Sequence, residues 1–95
     1  MAVKPGTPVY IIMKARGVAS PNVVSALAKI LKARRVKAHK NILNLDQPKE
    51  KQRQMIKTRF QTIEKNLEKW LFETGFSSAN AETMIKRAKA ELSQK

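Results

Sequence analysis

Seven of the fifteen side chains from Lys29 to Leu43, KILKARRVKAHKNIL, are Lys, Arg or His, and none is acidic. Ammonium and guanidinium groups at this density do one kind of chemistry well. They hold phosphate or carboxylate oxygens by charge-assisted hydrogen bonds, Arg through a planar fork and Lys as a point charge. The run belongs to a wider imbalance, because residues 1–45 hold nine Lys or Arg and no Asp or Glu, while residues 46–95 hold eleven bases and seven acids. Most of the net +13 therefore lies in the first half. Such a field attracts any polyanion that comes within a Debye length, about 8 to 10 Å at physiological salt.

Catalysis has no comparable set of residues. Glu50, Glu64, Glu68, Glu73, Glu82 and Glu91 fall on helix surfaces, Asp46 reads as a helix cap, and none pairs with His39 or a serine in a recognisable motif. There is no Gly-rich phosphate loop, no HExxH and no carboxylate-rich metal loop. With no cysteine, disulfides, thiolate metal sites and thiol nucleophiles are excluded together. His39, alone among lysines, reads as a surface donor to phosphate. The expectation is a non-enzymatic protein with no metal and no cofactor.

The aromatic residues are Tyr10, Phe60, Trp70, Phe72 and Phe76, and none interleaves with the basic run. That pattern argues against platforms that stack single-stranded bases on exposed rings. Trp70, Phe72 and Phe76 cluster where two helices should meet, and they are the candidate anchors for a protein partner.

The punctuation predicts a mainly α chain, a small single-domain bundle of about four helices over 8–16, 21–35, 48–74 and 78–93. Ninety-five residues suit one domain, and the 42% hydrophobic content is ordinary for a folded chain. Thr7-Pro8 and Ser20-Pro21 are N-cap and first-turn pairs, and Gly17 and Gly75 are natural C-terminal stops. A short strand over 9–14 is the alternative for the first element, since Val9, Tyr10, Ile11 and Ile12 all favour β structure. In the second helix the apolar stripe Val23, Val24, Leu27, Ile30, Leu31 meets Arg34 at its next position. The hydrophobic face is therefore expected to stop at Leu31, with every cation from Arg34 onward outside the core and Asn41 to Gln47 a connector. Ile56, Phe60, Ile63, Leu67 and Trp70 make a seam about two heptads long, which reads as an internal core face or as a homodimer interface through helix 48–74.

Arg16 to Leu27, RGVASPNVVSAL, resembles the turn and recognition helix of helix-turn-helix DNA-binding domains, with one residue more than usual between Gly17 and the helix start. Glu73 to Ile85 is a second, weaker likeness, with Thr74 where an apolar residue is usual. The first resemblance implies groove-facing positions near Asn22, Ser25, Lys29 and Lys32, with Arg34, Arg35, Lys37 and Lys40 on phosphates. Lys14, Arg16 and His39 complete the candidate nucleic-acid set. Among the groove positions only Asn22 suits a two-bond adenine contact, so backbone-dominated binding with modest sequence preference is expected.

Cations at a helix C-terminus complement its macrodipole without any partner, but that explains one or two residues rather than forty-five positions without an acid. Nucleic acid, DNA or RNA, is therefore the leading partner. A regulator or inhibitor docking on an acidic or nucleic-acid-binding protein surface is the alternative. A membrane-surface role ranks third, because the apolar face of Pro21 to Leu31 lacks Trp and Phe. The longest unbroken apolar run, Val9 to Met13, is far short of the ~20 residues of a membrane span and nothing before it reads as a signal peptide, so an intracellular, non-secreted protein is expected.

Overall fold

The computed structural model describes residues 6–93. Four helices follow in order: α1 (Pro8–Lys14), α2 (Pro21–Leu43), α3 (Lys49–Glu73) and α4 (Ser78–Ser93), with no strand among the described residues. Over 9–14 the chain is helical, because Thr7 Oγ1 accepts the Tyr10 N–H at 3.3 Å and Pro8 sets the first turn. The helix buries Ile12 completely, whereas a strand here would have no neighbouring strand to pair with. It closes at Lys14 and not at Arg16, since Arg16 (φ 49°) and Gly17 (φ 88°) turn the backbone through the left-handed region. Gly17 is needed for a second reason: a Cβ there would sit 2.5 Å from the carbonyl oxygen of Gly75. The α1–α2 and α3–α4 turns thus meet backbone to backbone.

α2 begins where expected, with Ser20 Oγ accepting the Val23 N–H at 3.4 Å. It does not end near residue 35 but runs to Leu43, because its inward stripe continues as Leu31, Arg35, Ala38 and Ile42 at helical spacing. Arg35 occupies an inward position by laying its guanidinium over the Phe60 ring, 5.0 Å from the centroid. The expected connector shrinks accordingly to residues 44–48, and Ile42 is buried. Asp46 is not a cap. The N-cap of α3 is Pro48, which has no side chain to offer, and the Gln52 amide instead donates to the Leu45 carbonyl at 3.1 Å. α4 starts as expected, with Ser77 Oγ accepting the Asn80 N–H at 3.1 Å.

α2 is the central element: α1, α3 and α4 all pack on it, and α3 also packs on α4. One cluster joins Ile12, Leu27, Leu31, Leu67, Phe76 and Met84 with their neighbours. The α3 seam is spent inside it, with Ile63, Leu67 and Leu71 buried and Phe60 and Trp70 half-buried against it, so the stretch from Phe60 to Leu71 is not free to pair with a second copy. Phe76, expected at a partner surface, is only 1% exposed and plugs the α3–α4 joint.

Helix lengths decide the shape. At about 1.5 Å per residue α2 and α3 span roughly 35 and 38 Å, and α4 roughly 24 Å. Starting at the Gly75 turn, α4 reaches back along α3 to Glu64, where Lys89 pairs with it at 3.1 Å, and Leu92 borders the core. Beyond that point α2 and α3 continue as a two-helix arm, residues 32–60. Among the described residues Ile42 is the one buried hydrophobic residue that does not join the main cluster.

Candidate functional site

The arm gathers the charge. Residues 32–60 hold ten Lys or Arg and two acids, net +8, so the split that matters is arm against body and not first half against second. Nine of the ten cations are exposed: Lys32, Arg34, Lys37 and Lys40 on α2, and Lys49, Lys51, Arg53, Lys57 and Arg59 on α3. His39 is exposed among them.

Arg35 is the exception. Its Nη2 donates to Glu64 Oε2 at 3.4 Å, and Lys89 Nζ donates to Glu64 Oε1 at 3.1 Å, so one carboxylate ties α2, α3 and α4 together. Arg35 Nε is buried with no hydrogen-bond partner, which fits a residue fixed by packing and not one offered to a ligand. Its expected role on phosphate is therefore corrected to a structural one. Ser25 is corrected likewise: its hydroxyl donates to Glu91 Oε1 at 3.3 Å, so α4 covers the position the helix-turn-helix resemblance assigned to a groove. Both contacts show how an acid-free first half finds counter-charge, since Glu64 and Glu91 reach it from α3 and α4.

The remaining expected residues separate into two groups. Lys14, Arg16 and Asn22 are exposed at the end of the body where the two turns meet, with Lys14 Nζ 5.8 Å from the Tyr10 ring centroid. Asn22 and Lys40 lie at opposite ends of α2, about 27 Å apart along the helix axis. Asn22 and the arm therefore do not form one reading surface. Lys29 is exposed where α2 leaves the body. Of the aromatic anchors, Trp70 is half-buried and Phe72 is 60% exposed.

Where α2 and α3 face each other in the arm they leave a groove of about 260 Å³ between Arg34, Lys37 and Asn41 on one side and Arg59 on the other, floored by Ala38 and Ile42. It runs on toward the tip past Lys51, Met55 and Thr58. No acid lines either part. Cations held over an apolar floor interact more strongly with an anion than cations fully in water, because the local dielectric is lower. The groove between α3 and α4 is the contrast, with Glu64, Glu68 and Glu82 interleaved with Lys65, Lys86 and Lys89.

Sequence reasoning missed the α3 half of this surface: Lys49, Lys51, Arg53, Lys57 and Arg59. The signal was the short turn at 44–48. It folds α3 back on α2, so residues 49–60 must lie beside residues 32–43.

The fold and surface define a small all-α protein with a projecting basic helical hairpin. No known protein family, curated protein or solved structure matches the chain. Among the described residues no helix is long and apolar enough to cross a membrane.

Proposed function

We propose that the chain is a non-enzymatic nucleic-acid-binding protein whose arm holds the sugar–phosphate backbone. The observation that carries this reading is the arm's nine exposed cations against two acids, flanking a groove with no acid in it. Among the described residues none of these nine cations has an ion pair, and phosphates supply one while releasing condensed counterions. Base reading is a minor part of the interaction. The arm offers only Asn41 and Gln54 as amide side chains along the groove, and its Phe60 ring is covered by Arg35.

The test is binding of a 20-base-pair duplex followed by fluorescence anisotropy across a salt series. With about five phosphates contacted, log K falls against log salt with a slope near −4.5, roughly 500-fold between 50 and 200 mM. Replacing Arg34, Lys37, Lys40 and Arg59 together by Ala should flatten that slope by about 3.6 with no loss of folding. A salt-independent affinity, or no binding to duplex or single strand at 50 mM salt, would sink the proposal.

One observation favours a second reading, a protein partner with an acidic surface. Val36 and Leu43 stand 55% and 51% exposed between the arm's cations, as apolar anchors within a charged rim would. Capture from nuclease-treated extract separates the two, since only a protein partner survives the nuclease.

A further inference from the structure

We infer that the arm carries two opposed cationic faces and bridges two nucleic-acid segments. The inference rests on the reading above. In the body α4 covers one side of α2, the side of Ser25 and Ala28, with Ser25 bonded to Glu91. The stripe Val23, Ala26 and Ile30 lies on the other side, with Val23 and Ala26 buried and Ile30 half-buried. Both stripes continue into the arm at the same helical spacing, and there Arg34 and Lys37 on one and Lys32 and His39 on the other stand exposed.

Val23, Ala26 and Ile30 run on as Arg34, Lys37 and Asn41, which meet Arg59 and Lys51 across the acid-free groove. On the α4 side, Ser25 and Ala28 run on as Lys32 and His39. The matching stripe of α3 passes from Glu64 and Phe60, both on Arg35, to Lys57 and Arg53. Four exposed cations, Arg34, Lys37, Lys51 and Arg59, therefore mark one face. Lys32, Arg53 and Lys57, with His39, mark the other. A pair of helices packed 8–10 Å apart, each about 10 Å across, is roughly 20 Å wide and does not fit a major groove of about 12 Å. The pair lies across phosphates instead, and a slab that is cationic on both sides neutralises a second segment with the side turned away from the first. Self-association does not explain the two faces, because an arm of net +8 repels its copy.

The experiment mixes two 20-base-pair duplexes, one carrying a donor dye and one an acceptor, with the full chain. Energy transfer and anisotropy are read in one titration, and sedimentation gives the protein stoichiometry. Energy transfer is expected when protein is limiting and is lost when protein exceeds duplex, because each segment then has its own arm. The variant R34A/K37A/R59A and the variant K32A/R53A/K57A should each lose at least tenfold in transfer while still binding one duplex through the face left intact. Binding without transfer at any ratio overturns bridging and leaves the binding reading intact. Transfer that either variant retains in full, or that tracks a protein dimer in sedimentation, overturns it as well. Absence of binding removes both.

Discussion

Leu27 and Ile42 are both buried apolar residues on the same helix, yet only Leu27 belongs to the main cluster. The main cluster draws on all four helices, whereas Ile42 lies in the arm built from α2 and α3. The body is held by a shared apolar core, and its charges interleave in sign, with Glu64 serving Arg35 and Lys89, and Glu82 serving Lys86. The arm has little core and unbalanced charge. Apolar packing and unpaired charge are thus written in separate residues of the same two helices, and Arg35 stands on the border between them.

Four substitutions test this division of the molecule. The largest effect belongs to the body: Leu67→Ala, at a completely buried position, should cost about 2–5 kcal/mol in chemical denaturation, while the affinity per folded molecule stays unchanged. A weaker arm in the folded fraction would mean the two regions are coupled. Next comes the border. Glu64→Ala leaves Arg35, 23% exposed, and Lys89 without their shared carboxylate and should cost about 1–3 kcal/mol. Adding Arg35→Met should recover part of that loss, since the stem still packs on Phe60; no recovery in the double-mutant cycle would show that Arg35 acts through something other than Glu64. The smallest effect is Lys37→Ala in the arm, expected to move stability by no more than about 0.5 kcal/mol. A larger destabilisation would place Lys37 among the structural residues.

The helices were legible because their starts are local chemistry: Thr7-Pro8, Ser20-Pro21 and Ser77 each cap within three residues. The extent of α2 was not. Its inward face continues through Arg35, and no local rule counts an arginine as apolar; only Phe60 and Glu64, brought in by the fold, make it so. Asp46 misled for the opposite reason, being a good cap by type at a place where the chain starts its helix at Pro48 without one. The basic run itself was plain in the sequence, and its α2 members other than Arg35 stand exposed as read. Its α3 half was hidden because Glu50, Glu64 and Glu68 dilute the charge along the chain, and only the fold-back at 44–48 brings Lys49–Arg59 beside the basic run of α2. Phe76 shows the limit for aromatics: type and position suggested a surface anchor, and the closeness of Gly17 and Gly75 decided that it would be a plug.

The isolation of Ile42 from the main core has a consequence for how such a protein can vary. Nothing outside α2 and α3 fixes the length of the arm. Adding one matched heptad to each helix would extend its reach by about 10 Å while every contact of the body stayed in register. The hairpin is in this sense a ruler, free to be drawn out or cut back at the tip while the other end, tied where Gly17 meets Gly75, stays where it is.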